Sequence, residues 1–256
     1  MEAEQEMTRR RVLVTFDVDG TLIRSTGSAS NHLHRQAFAH AFLRVFGLQN
    51  ATIDAVQHHG QTDPIILVNT AIHYGVSSNV AAERLPDMKT EMLKYAREHV
   101  EEIGEGLEVL PGVASLLDAL SSSNVVIGLV TGNLEEIAWM KMDGLGIRKY
   151  FTVPNFGGFG SDHIDRGHLV KIAADRAKEL CPAGFDLRVH VGDTPNDIKA
   201  AEYGGALAIG VCTARKLVMS SLQDESLIVT ACAECCLSCL QCASTSICNW
   251  QNMIGT

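Results

Sequence analysis

Four short apolar runs mark the chain: Val12 to Phe16, Val125 to Val130, Val189 to Val191 and Ala206 to Val211. Each is rich in Val, Ile or Leu, is bounded by Gly, Asp or Thr, and is separated from the next by helical patterning. This predicts buried parallel strands covered on both faces, an α/β fold with a Rossmann-like parallel sheet. More than a hundred residues lie between the first two runs. One crossover helix needs far fewer, so an inserted unit is expected. Its interior reads as helical: Leu33, Ala37, Phe38, Ala41, Phe42 and Val45 form one stripe, Ile65, Ile66, Val68, Asn69 and Ile72 a second, and Met88, Met92, Tyr95 and His99 a third. Pro111 and Gly112 open a further helix with Leu116, Leu117 and Leu120 facing inward. The expected division is a core of residues 10–24 and 107–213, a helical insert of residues 25–106, and a tail of residues 214–256.

Composition narrows the range of partners. At 256 residues and 46% hydrophobic, the chain can bury a substantial core. The net charge of -9 disfavours a nucleic-acid backbone or an anionic membrane as partner, since both need clustered Lys and Arg. The acidic start MEAEQEM lacks the apolar segment of a secretory signal, and no run of 18 apolar residues suggests a membrane span, so a cytoplasmic protein is expected. Six of the eight cysteines fall between Cys232 and Cys248. Their three- and four-residue steps suit one packed helical face. CxxC spacing also admits zinc or redox chemistry, but a secreted disulfide scaffold would spread its cysteines.

The chemistry concentrates where strands end. The first run is followed by Asp17, Asp19, Gly20 and Thr21, the second by Thr131, Gly132 and Asn133, and the third by Gly192, Asp193, Thr194, Pro195, Asn196 and Asp197. In a parallel sheet, ligands bind beyond the carboxyl ends of the strands, so all three groups should meet at one edge. Carboxylates brought so close repel one another unless one is protonated or a cation sits among them, and an all-oxygen ligand set favours Mg²⁺ over Zn²⁺. Asp17 and Asp19, two apart in an extended segment, can face one substrate as nucleophile and as proton donor and acceptor.

DVDGT after an apolar strand, TGN after a second and GDTPND after a third resemble motifs I, II and IV of the haloacid dehalogenase superfamily, in its phosphatase branch. The resemblance spans residues 10 to 213. It implies that Asp17 forms an aspartyl-phosphate and that Asp19 serves as general acid and then base. It further implies that Thr131 and the following amides, at Gly132 and Asn133, hold the phosphoryl oxygens. Mg²⁺ would be bound by Asp17, the Asp19 carbonyl and Asp193, with Asp197 a ligand or an orienting group. The family also uses a cation between the second and third motifs; Arg166 fits it, with Lys171 as the fallback, although the usual lysine-proline pair is absent. The insert has the position of a C1 cap. Its HHGQTDP segment resembles the cap loop of phosphoglycolate phosphatase-like members, making His59, Gly60 and Thr62 candidate substrate contacts.

The activity implied is Mg²⁺-dependent hydrolysis of a small phosphorylated metabolite, phosphoglycolate-like or a sugar phosphate. Two alternatives are a phosphomutase of the β-phosphoglucomutase type and, outside catalysis, a phospho-acceptor or catalytically dead metabolite-binding module. Dehalogenating relatives lack the second aspartate. FGGFG, Phe156 to Gly160, lacks the context of a dinucleotide fingerprint and reads as a loop, and His190 as a packed core residue.

Overall fold

The computed structural model describes residues 10–211 except residues 28 and 124, so the expected packing of the late cysteines lies outside the described residues. Along the chain run β1 (Val12–Phe16), β2 (Ile23–Ser25), α1 (His32–Phe46), α2 (Asp63–His73), α3 (Ser78–Glu83) and α4 (Leu85–Glu98). Then follow β3 (Leu107–Val109), α5 (Val113–Ser121), β4 (Val125–Thr131), α6 (Glu135–Gly144) and β5 (Gly157–Phe159). Last come α7 (Arg166–Leu180), β6 (Leu187–Gly192), α8 (Pro195–Gly204) and β7 (Leu207–Gly210).

Five strands form a parallel sheet in the order β5-β4-β1-β6-β7. The first strand is therefore central, and the chain crosses to one side of it and then to the other. This puts a topological switch point at the carboxyl end of β1. Side chains alternate across β1 as a pleated strand requires. Val12, Val14 and Phe16 pack with Leu116, Leu117 and Leu120 of α5 and Ala138, Trp139 and Met142 of α6. Leu13 packs with Ala174 and Ala177 of α7 on the opposite face. A fully buried phenylalanine such as Phe16 contributes about 2–3 kcal/mol by removing its ring from water.

The four predicted strands are present, but FGGFG is not simply a loop: Gly157–Phe159 forms the edge strand, paired with Leu129 to Thr131. Glycine is disfavoured in strands, which hides this one from propensity. Side chains are nevertheless excluded there, because a Cβ on Gly158 would sit 2.0 Å from the Leu169 carbonyl oxygen. The short antiparallel pair β2–β3, with Ile23 opposite Val109, was also invisible to periodicity, being three residues long on each side.

Helices α1 to α4 lie between those two short strands in sequence and share a separate apolar cluster, joined by Leu134, just before α6, and Ile137 of α6. The first stripe is buried as expected, at Leu33, Ala37, Phe38, Ala41 and Phe42. Helix α1 ends at Gly47, whose φ of 68° lets its N–H and that of Leu48 turn back to the carbonyls of Leu43 and Phe42. The second stripe is rotated from the expectation. Helix α2 buries Ile66, Leu67, Thr70 and Ala71 and leaves Ile72 39% exposed. Apolar residues surround α2 on more than one side, so tertiary packing, not periodicity, selects the face.

Candidate active site

Register alone brings the strand-end motifs together. Phe16 is paired with Leu129 on one side and Val191 on the other, so Asp17, Thr131 and Asp193 emerge side by side. The Asp17 N–H continues the ladder to the Val191 carbonyl at 2.9 Å. All three residues line a cavity of about 370 Å³ together with Asp19, Gly132, Asn133, Arg166 and the His58–Gln61 segment. That volume suits a small ligand. At Gly20 the chain turns away with φ 97°, and a Cβ there would lie 2.3 Å from Asp193 Oδ2; only glycine permits this approach.

Carboxylate oxygens of Asp17, Asp193 and Asp197 lie within 4.8 Å of one another. Arg166 stands beside two of them: Nη2 is 2.5 Å from Asp17 Oδ1 and 2.6 Å from Asp197 Oδ1. It occupies the first turn of α7, placed there by Asp165, whose side chain caps the helix through the Gly167 N–H at 2.8 Å. The three carboxylates differ sharply. Burial pushes Asp17 up to about 8 despite the pull of Arg166, with repulsion from Asp197, Asp193 and Asp19 adding to the rise. Burial and the charge of Asp197 raise Asp193 to about 6. Burial acts on Asp197 too, but Arg166, His190 and Thr194 outweigh it and hold its carboxyl well below the usual range. Asp197 is saturated with partners: it accepts from the Thr194 N–H at 2.9 Å and hydroxyl at 2.5 Å, and His190 Nε2 lies 3.4 Å away. His190 is thus buried, as expected, but also bridges Asp197 to the Thr15 hydroxyl, 3.1 Å from its Nδ1.

The donor set fits a divalent cation of the hard, oxygen-binding kind. Asp17 and Asp193 carry raised affinities for protons, the mark of carboxylates short of positive charge, and among the described residues no nitrogen or sulfur ligand joins them. Cation binding must compete with those protons. Affinity for a divalent cation is therefore expected to rise between about pH 6 and 8, with proton release on binding at pH 7, which calorimetry in buffers of different ionisation enthalpy measures.

Asp19 has its own surroundings. Its Oδ2 accepts from Asn133 Nδ2 at 2.9 Å, and both oxygens accept from Lys141 Nζ, at 2.9 and 2.8 Å. Burial would raise this carboxyl, but the attraction of Lys141 and the hydrogen bonds from Lys141 and Asn133 prevail, and it lies below its ordinary value. Asn133 is fixed in turn by the Thr131 hydroxyl, which accepts from its backbone N–H at 3.3 Å and its side chain at 3.1 Å.

The loop before α2 is pinned against the sheet edge. The Asp63 N–H donates to the Gly132 carbonyl at 2.8 Å, Asp63 Oδ2 accepts from the Leu134 N–H at 2.8 Å, and Asn196 Nδ2 donates to the Gly60 carbonyl at 3.0 Å. His59 and Gly60 line the cavity, but the buried Thr62 is not among its lining residues; its hydroxyl donates to the Ile164 carbonyl at 3.0 Å. Lys171 does not join the carboxylates either: its amine sits 3.8 Å from the Tyr203 ring centroid, one turn too far along α7. Gly132 leaves no room for a side chain, since a Cβ would lie 2.3 Å from the Gln61 carbonyl oxygen. Gly132→Ala must push the 60–63 segment outward. It is expected to cost about 1–3 kcal/mol, read by thermal unfolding, and to raise KM for any ester bound beneath that loop.

Sequence reasoning missed Lys141, His34 and Asp63. The signals were present: Lys141 stands on the inward face of α6 beside Ile137 and Ala138, and His34 on that of α1 between Leu33 and Ala37. A polar residue on an apolar face is the informative exception, since such groups are rarely buried without a partner.

A family model of haloacid dehalogenase-like hydrolases matches residues 12–205. A phosphoglycolate phosphatase of Agrobacterium fabrum is 25% identical over 204 residues, covering 78% of this chain and 79% of that protein. Another, from Yersinia pestis, is 27% identical over 202 residues, covering 77% and 79%. Among solved structures, a hydrolase from Pseudomonas syringae shares the fold with a TM-score of 0.54 at 18% identity, over 81% of this chain and 87% of that one.

Proposed function

Because the chain belongs to the haloacid dehalogenase-like hydrolases, we propose that it is a Mg²⁺-dependent phosphatase that cleaves a small phosphorylated metabolite, phosphoglycolate-like or a sugar phosphate, through a phosphorylated Asp17. The observation that carries this reading is the placement of a buried aspartate at the carboxyl end of the central strand, 2.5 Å from a buried arginine and facing a cavity of about 370 Å³. The relatives named as phosphoglycolate phosphatases support the substrate class.

Asp17 attacks phosphorus, forming one P–O bond as the ester P–O bond breaks, and the leaving oxygen takes its proton from the protonated form of Asp19, a minor form at neutral pH because, against burial, Lys141 and Asn133 hold that carboxyl below its ordinary value. Asp19 then removes a proton from water, whose oxygen attacks the same phosphorus and frees Asp17 and inorganic phosphate. Arg166, whose Nε has no hydrogen-bond partner among the described residues, offers a buried donor to the phosphoryl oxygens, alongside Thr131 and the amides of Gly132 and Asn133. Asp17, Asp193 and the Asp19 carbonyl would hold the cation, with Asp197 orienting Arg166. Bound there, Mg²⁺ would neutralise charge on the transferring group.

Helices α1 to α4, within residues 25–106, act as the cap that covers this site, and His59 and Gly60 contact the leaving group. A panel of phosphate esters, assayed with Mg²⁺ and with EDTA, tests the reading. Cation-dependent release of phosphate from phosphoglycolate or a sugar phosphate is expected. Full activity in EDTA, or transfer to a second sugar hydroxyl in place of water, would refute it.

A further inference from the structure

The wholly buried amine of Lys141 is the hub of a polar chain that runs out of the site. It donates to both oxygens of Asp19 at 2.9 and 2.8 Å and to Asn133 Oδ1 at 2.8 Å, and lies 3.2 Å from His34 Nδ1. On the far side of that imidazole, Nε2 is 3.1 Å from Asp63 Oδ2. The directions agree: Lys141 has only donors to give, so Nδ1 accepts, and the ring hydrogen on Nε2 points to Asp63. Asp63 Oδ2 also accepts from the Leu134 N–H at 2.8 Å, at the entrance to α6. Four elements are thereby tied: the β1 exit, α6, α1 and α2.

A lysine with no exposure carries a desolvation cost that an unbranched apolar side chain of equal reach would not. Its value therefore lies in what it holds. Among the described residues, Asp19 is otherwise held only by Asn133 and is about one-third exposed, so without Lys141 its carboxylate has room to turn.

We propose that Lys141 is a positioning residue that fixes the Asp19 carboxylate for proton transfer, and that its bond to His34 makes this orientation depend on α1 and α2 being seated on the sheet edge. The proposal rests on the phosphatase reading, in which Asp19 protonates the leaving oxygen. It extends that reading to a residue outside the sequence motifs and to a coupling between the helical layer and the proton-transfer step.

The test compares kcat/KM, which reports the first chemical step, for two substrates in the presence of Mg²⁺. One is 4-nitrophenyl phosphate, whose leaving group needs little protonation; the other is phosphoglycolate or another alkyl phosphate that the wild type hydrolyses. Lys141→Met is expected to lower kcat/KM for the alkyl ester by about 10²-fold and for the aryl ester by about tenfold or less. In an Asp19→Ala background the same substitution should change neither by more than about twofold. Equal losses on both esters, or losses that add to those of Asp19→Ala, would make Lys141 a structural residue and overturn the proposal. His34→Gln leaves the lysine pair in place and carries the test should Lys141→Met not fold. It is expected to shift the alkyl-to-aryl ratio the same way by a few-fold, and an unchanged ratio there counts against the coupling. If Asp19→Ala itself loses both esters equally, the fault lies in the assignment of Asp19 and not in Lys141.

Discussion

Asp17→Asn is expected to abolish phosphate release, by about 10⁴-fold or more, while the protein stays folded. An amide at this position keeps the shape of the side chain but cannot attack phosphorus. The substitution also has a stability signature that a merely structural residue would not give. An aspartate in the unfolded chain titrates near its ordinary value of about 3.9, whereas Asp17 in the folded protein without cation is raised to about 8. Between those values the folded state holds a proton that the unfolded chain has released, so this group makes folding less favourable as pH rises from about 4 to 8. Asn does not titrate. In EDTA, the melting temperature of Asp17→Asn relative to the wild type should therefore increase from pH 5 to pH 8. A gap that narrows with pH contradicts the electrostatics derived for the site.

Arg166→Met should produce the second largest effect, on both stability and turnover. It leaves Asp17 and Asp197, both buried, without the guanidinium that lies 2.5 and 2.6 Å from them. Breaking a buried pair from one side costs about 3–5 kcal/mol. For a chain of this size each kcal/mol lowers the melting temperature by about 2–4 °C. Turnover should fall by about 10²- to 10³-fold, the usual loss for a preorganised donor to a developing anion. Arg166→Lys restores a charge but not the planar fork, and recovers part of the stability and little of the rate. Lys171→Met, by contrast, leaves the rate within about twofold, because that amine faces Tyr203. Equal losses from the two positions would show that the cation between the second and third motifs has been misassigned.

Much of the fold was legible because its strands are buried on both faces. Val12–Phe16 reads as an apolar run broken only by Thr15. The edge strand Gly157–Phe159 was not legible, since two of its three residues are glycine and its pairing depends on a close approach to α7. Helix α2 shows the limit of periodicity: with apolar residues on several sides, its buried face is chosen by neighbouring helices. At the site, the residues at strand ends could be found because turns and carboxylates after an apolar run stand out. Lys141, His34 and Asp63 could not be grouped from sequence, as they come from three helices and meet only once those helices pack. Thr62, a polar residue in the same suggestive loop, turns its hydroxyl to the Ile164 carbonyl, a partner that only the packed fold supplies.

The most direct measurement is an acid-quenched single turnover with a phosphate-labelled ester and Mg²⁺, using Asp19→Asn to slow hydrolysis of the intermediate, followed by peptide mapping. One phosphoryl group is expected on the peptide that contains Asp17, absent when Asp17 is replaced. A label on another residue, or turnover of substrate with no labelled protein at any quench time, would contradict it.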